Sequence, residues 1–138
     1  MAKPFTVRRR VEFVDTDMAG IAHFSNFFRW MESAEQEFLR SRGLTVAWQQ
    51  GGRRFGFPRV AAACDYLKPV TFEEVLEISV EIGRIGNKSV TYQFTFTRAG
   101  DVVARGKLIT VCSQESESEE SFQSIEIPDE IRQKLAGR

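Results

Sequence analysis

The stretch "VEFVDTDMAGIAHFSNFFRWMESAEQEFLRSRGL", Val11 to Leu44, decides how the chain is read. Its second half, "SNFFRWMESAEQEFLRSRG", has a helical period. Phe27, Met31, Ala34 and Phe38 recur at three- and four-residue spacing, with Phe24 leading in and Leu39 flanking. Ser25 or Asn26 can cap the start and Gly43 is placed to end it, which predicts a helix from about Asn26 to Arg42. That helix is unusually apolar for one lying on a surface. It needs a cover.

The flanking segments supply one. Upstream, "FTVRRRVEFV" alternates, with Phe5, Val7, Arg9, Val11 and Phe13 on one face, and reads as a half-buried strand ending at Val14. Downstream, "FPRVAAACDYLKP" reads as a strand stopped by Pro69. "EVLEISVEIGRI" and "KSVTYQFTFTR" read as long strands joined across Gly86-Asn87. A turn at Ala99-Gly100-Asp101 leads into "VVARGKLITVCS". "QESESEES", from Gln114 to Ser121, reads as a solvated loop, and "IPDEIRQKL" as a short terminal helix with Pro128 in its first turn. One strand, one long helix and four strands in meander-like succession predict an α+β domain spanning residues 1–138. In it an antiparallel sheet of about five strands wraps one long central helix, leaving that helix no exposed face.

Composition narrows the function classes. Nineteen basic side chains balance nineteen acidic ones, so no global field draws nucleic acid or an anionic membrane. No apolar run is long enough to cross a bilayer, and "MAKPFTVRRR" has no signal-peptide apolar region, so a cytoplasmic location is expected. Cys64 and Cys112 lie far apart with no second cysteine or histidine nearby, which is not zinc or redox-pair spacing. They read as two reduced, packed thiols.

Chemistry concentrates where the first strand hands over to the helix. Asp15 and Asp17 lie in the connection, and Met18-Ala19-Gly20 lets the backbone turn and approach a ligand closely. His23, the only histidine, and Phe24 come just before the first helical turn, where amides lack intrahelical partners and carry the positive end of the dipole. Such amides can hold a carbonyl oxygen that becomes negative during acyl transfer. A neighbouring carboxylate can attack that carbonyl or take a proton from water. The same residues also serve ordinary turn and capping chemistry.

"FVDTDMAGIAHFSNFFRWMESAEQEFLRSRGL" resembles the signature of hot-dog-fold acyl-CoA thioesterases of the 4-hydroxybenzoyl-CoA thioesterase type. The matching elements are Asp17 to Gly20, His23-Phe24, Ser25, Asn26, Phe27 and Gly43-Leu44, and the later "DYLKPVTFEEVLEI" and "GNKS" are compatible with the family's strand pair and hairpin turn. The resemblance implies hydrolysis of an acyl-CoA thioester to a free acid and coenzyme A, with no metal or cofactor. It implies Asp17 as the catalytic carboxylate, nucleophile or general base, and the Phe24 backbone amide as the group polarising the carbonyl. Gly20, Asn26 and Trp48 are the implied substrate contacts, Trp48 as a wall of an aromatic or compact acyl pocket. Lys88 matches a hairpin cation that meets coenzyme A phosphates. Gly86 and Asn87 replace basic residues of some members, so Arg84 or Arg53-Arg54 is expected to assist. Many relatives carry histidine or tyrosine at the position of Phe24, so His23 either contacts substrate or packs at the helix start; Asp15 is read as structural. Self-association as a dimer or homotetramer, with sites at the subunit boundary, is also implied. The alternative is a non-catalytic acyl-CoA or acyl-carrier-protein thioester-binding module of the same fold.

Overall fold

Helix α1 spans Ser25–Ser41, one residue earlier at each end than its periodicity predicts. Gly43, at φ +72°, turns the chain away, and the N–H groups of Gly43 and Leu44 return to the carbonyls of Arg40 and Leu39. Around this helix, in a computed structural model describing residues 4–116 and 121–137, the chain lays down nine strands and a second helix. They are β1 (Phe5–Arg10), β2 (Ala47–Gln50), β3 (Arg53–Gly56), β4 (Arg59–Tyr66), β5 (Val75–Ile85), β6 (Ser89–Arg98), β7 (Asp101–Val111), β8 (Ser113–Glu115), β9 (Phe122–Ser124) and α2 (Asp129–Leu135).

The main sheet is antiparallel, five-stranded, and ordered β1-β5-β6-β7-β4. Its fold class and strand number are those the sequence predicts. Its order is not a simple meander: β4 crosses to the far edge and pairs with β7, while β5, β6 and β7 pair locally through their turns. Ala99 and Gly100, at φ +49° and +87°, make the β6–β7 connection. A second sheet, β2-β3-β8-β9, was not legible in the pattern, because its strands are three or four residues long. Gly51 and Gly52, both at positive φ, form its first hairpin turn. It also corrects the acidic loop: residues 113–115 are strand, and 117–120 lie outside the described residues.

Two further expectations need correction. β1 stops at Arg10 rather than Val14; Phe13–Asp15 form a 3₁₀ turn that leaves Phe13 and Val14 exposed. The helix also keeps an open face. Phe27, Met31, Ala34, Phe38 and Leu39 are buried under the sheet, but Arg29, Glu32 and Arg40 stay exposed. The sheet covers one side of the cylinder, which is enough to bury its apolar stripe. Phe27 meets Phe96 edge-on at 5.1 Å and Phe38 meets Tyr92 at 6.0 Å, so aromatic contacts run along the helix–sheet seam.

Glu35 is fully buried in that seam and ion-paired to Arg59, the first residue of β4. Burial holds its carboxyl above the usual range, outweighing the Arg59 cation, and its Oε2 finds no partner among the described residues. Among the described residues no helix is long and apolar enough to cross a membrane.

Gly106 of β7 sets how closely sheet and helix approach. A Cβ there would collide with the Met31 sulfur, and Met31 is completely buried. Gly106→Val is therefore expected to cost about 1–3 kcal/mol by overpacking, seen as a lower melting temperature. An unchanged melt would mean that α1 can back away.

Candidate active site

The connection from β1 to α1 is built from interlocking backbone bonds. The Val11 N–H reaches the Glu74 carbonyl at 2.8 Å, tying the end of β1 to the approach of β5. Asp15 then spends its carboxylate on the Glu12 N–H at 2.8 Å, closing the 3₁₀ turn. Its carbonyl accepts the His23 N–H at 2.8 Å and the Asn26 amide at 2.7 Å. Asp15 is therefore structural, as its sequence reading has it.

Asp17 sits on the next tight loop. Its N–H donates to the Ile21 carbonyl and its own carbonyl accepts the Gly20 N–H, both at 2.9 Å. Gly20, at φ +81°, makes that reversal. The Ala19 N–H donates to Asp17 Oδ1 at 2.8 Å, so one carboxylate oxygen is oriented while Oδ2 has no partner among the described residues. The loop is docked on its other side, where Ala22 N–H donates to the Val70 carbonyl at 2.8 Å and Ile21 bridges to Thr71.

The helix start offers the complementary group. The Phe24 N–H makes no hydrogen bond among the described residues, whereas Asn26 N–H is used by the His23 carbonyl at 3.0 Å. Asp17 and Phe24 border one cleft of about 360 Å³, otherwise lined mainly by Ile21, Phe27, Leu67 and Val70. An unpaired carboxylate oxygen and an unpaired amide on the rim of an apolar cavity can hold an acyl carbonyl between a nucleophile or base and an oxyanion donor.

The other site residues inferred from the sequence fall in different places. Asn26 is buried and anchors Asp15, so it shapes the loop. His23 is exposed; its ring lies tilted against Phe24 at 4.6 Å and its Nδ1 lies 2.8 Å from Ser25 Oγ, accepting the Ser25 N–H at 3.3 Å. These contacts hold the ring at the helix start. Trp48 lines a separate cavity of about 220 Å³ between β2 and α2, stacked on Phe55 at 5.5 Å. Arg84 and Lys88 lie at the far end of β5 and in the β5–β6 turn. The eleven residues of β5 cover roughly 36 Å at about 3.3 Å each, so neither cation reaches Asp17 within one chain. Arg53 and Arg54 are on β3, with Arg54 paired to Glu115 at 2.7 Å.

Sequence reasoning missed Tyr66 and Lys68, both of which line the cleft. "DYLKP" carried their signal, but only the crossing of β4 to the far edge reveals where it leads. Burial pushes the neighbouring Cys64 thiol up to about 11, and Cys112 likewise, so neither is a poised nucleophile.

An antiparallel sheet wrapped on one long helix is the architecture of the hot-dog class. Residues 11–135 match the thioesterase-like superfamily, and the chain belongs to it. It is 33% identical over 131 residues to a 1,4-dihydroxy-2-naphthoyl-CoA hydrolase of Nostoc punctiforme, covering 95% of this chain and 86% of that one. It is 30% identical over 135 residues to the 4-hydroxybenzoyl-CoA thioesterase of a Pseudomonas species, covering 93% and 94%. The fold superposes with a TM-score of 0.82, at 22% identity and over 97% and 99% of the chains, on a crystal structure of a mutant 4-hydroxybenzoyl-CoA thioesterase complexed with 4-hydroxybenzoyl-CoA. The reaction is that of the family, hydrolysis of an acyl-CoA thioester.

The cleft wall 67–70 depends on a charged brace. Arg98 donates to the Pro69 carbonyl at 2.8 Å and to Glu74 at 3.1 Å, while the Thr71 N–H and hydroxyl also bond Glu74. Partial burial raises the Glu74 pKa, but the Thr71 and Arg98 bonds outweigh it and hold the carboxyl below its ordinary 4.5. A depressed folded pKa stabilises fully above the unfolded value and is lost as pH falls through the folded one. Thermal melts are therefore expected to lose stability below about pH 4.5 less steeply in Glu74→Gln than in the wild type. Identical slopes would remove the brace from the acid response.

Proposed function

We propose that Asp17 and the Phe24 N–H are the catalytic pair of this thioesterase, acting on an aromatic acyl-CoA. One observation carries the reading: Asp17, with one unpartnered carboxylate oxygen, and Phe24, with an unpartnered N–H, line the same apolar cleft. A thioester carbonyl placed between them is attacked by the Asp17 carboxylate, or by a water that Asp17 deprotonates. The oxygen that becomes negative is held by the Phe24 amide at the positive end of α1, and coenzyme A leaves as its thiolate. In the nucleophilic route water then hydrolyses the acyl–Asp17 anhydride; in the base route the acid forms directly. Phe24, Phe27 and Tyr66 give the cleft aromatic walls. The relatives named for hydroxybenzoyl and dihydroxynaphthoyl substrates support an aromatic acyl group.

The coenzyme A end requires a second subunit on this reading. β4 is an edge strand with exposed residues from Arg59 to Ala63, and its open edge suits antiparallel pairing with a second copy. Full overlap brings the start of the neighbour's β4 beside Tyr66, so the site lies at a subunit boundary. Lys88 and Arg84 meet the phosphates, and Trp48 meets the acyl group, from neighbouring chains. Arg132 braces the Lys88 hairpin by donating to the Gly86 and Asn87 carbonyls at 3.0 and 3.1 Å. Pairing of such dimers gives a homotetramer. Two free cysteines suit a reducing, cytoplasmic compartment.

Thiol release from a panel of aromatic and aliphatic acyl-CoA substrates tests both parts. Asp17→Asn is expected to lower kcat by about 10²–10⁴-fold with KM and melting temperature nearly unchanged, while Lys88→Ala raises KM. Mixing the two variants should regenerate a fraction of sites with wild-type KM. Turnover by Asp17→Asn near the wild-type rate would contradict the catalytic assignment. A mixture behaving as the plain average would contradict the shared site.

A further inference from the structure

Tyr66 joins the main sheet to the start of the catalytic helix. It ends β4, where its backbone pairs with Ala104, and the next two amides, Leu67 and Lys68, both donate to the Val103 carbonyl at 2.9 and 3.1 Å. The strand end is thus held to β7. From it the phenol ring packs edge-on against Phe27 at 5.1 Å, and the hydroxyl donates to the Phe24 carbonyl at 3.0 Å. Among the described residues no other side-chain hydrogen bond runs from the five-stranded sheet to the first turn of α1.

The Phe24 carbonyl needs that second hold. The Phe27 N–H approaches it only at 3.3 Å, beyond the usual N–H···O range, as the ladder of α1 begins. The His23 carbonyl, on the other side of the Phe24 Cα, is already fixed by Asn26. The Phe24 N–H shares its peptide plane with the His23 carbonyl that Asn26 holds, and the hydroxyl pins the following plane. Rotation about the Phe24 φ and ψ bonds can then no longer swing the N–H. Oxyanion stabilisation depends on such fixed dipoles, because a donor that must reorganise during reaction loses most of its effect.

We propose that Tyr66 is a positioning residue of the thioesterase site, its hydroxyl holding the Phe24 carbonyl so that the Phe24 N–H is aimed at the thioester oxygen. This rests on the Phe24 amide being the oxyanion donor. Burial pushes the phenol up to about 12, so the group stays a neutral donor throughout the working pH range. Because the ring and the hydroxyl do separate things, they can be separated. The ring lines the cleft and packs on Phe27; the hydroxyl bonds the Phe24 carbonyl and lies beside the Cys64 thiol.

Tyr66→Phe keeps the ring and deletes the bond. On a substrate that the wild type turns over, kcat is expected to fall at least about threefold with KM within twofold and an unchanged melting temperature. The Phe24 and Ser25 amide resonances should shift in nitrogen-15 spectra of the free protein. Placing 4-aminophenylalanine at position 66, which restores an N–H donor, should recover part of kcat. A kcat equal to the wild type overturns the proposal. So does a raised KM at constant kcat, which would make Tyr66 an acyl contact, and so does failure of the amino analogue to rescue. Asp17→Asn, assayed in parallel, separates the outcomes. An inactive Asp17→Asn beside a fully active Tyr66→Phe removes only the positioning role, whereas an active Asp17→Asn removes the site assignment itself.

Discussion

The carbonyl oxygen of Asp15 accepts two hydrogen bonds, from the His23 backbone and from the buried Asn26 side chain, and the site depends on that clamp. It ties the Asp17 loop to the opening turn of α1, two segments that share no other side-chain hydrogen bond among the described residues. A buried amide is costly to strand, so Asn26 favours the one loop conformation that satisfies it. Asp17 is then oriented by Ala19, and the Phe24 peptide is left with its N–H open. Catalysis needs both groups unpaired, and the clamp holds the connection in place while leaving them so.

The helix that carries this start is held by its other face. Phe27, Met31, Ala34 and Phe38 are locked against the sheet, with Gly106 permitting the close approach. The helix start therefore has little freedom to slide, and the sheet reaches it a second time through Tyr66. Packing energy, spread along the seam, is converted into accuracy at one end of it. The cleft wall opposite is shaped in the same manner, by Arg98 and Glu74 bracing the 67–70 segment.

Much of this was legible in the sequence because local chemistry determines it. The period of Phe27, Met31, Ala34 and Phe38 encodes the helix, Gly43 its end, and the alternation in residues 75–98 two long strands. Asp17, Gly20 and Phe24 could be named as candidates because the turn that joins them is contiguous and resembles the family's motif. Tyr66 and Lys68 could not, since they enter the cleft only after β4 crosses the sheet, a long-range choice that no local pattern records. The short strands β2, β3, β8 and β9 were lost for a related reason: three or four residues cannot establish a period. Asn26 was named for its place in the motif, but its buried tie to Asp15 required coordinates.

The most direct measurement is a crystal structure of the wild type bound to an aromatic acyl-CoA analogue in which a methylene replaces the thioester sulfur. The ketone oxygen is expected about 3 Å from the Phe24 nitrogen. An Asp17 oxygen is expected about 3–3.5 Å from the carbonyl carbon, or one water away from it. A ketone turned from the helix start, or an acyl group lodged in the Trp48 cavity with the Asp17 cleft empty, would contradict the catalytic assignment.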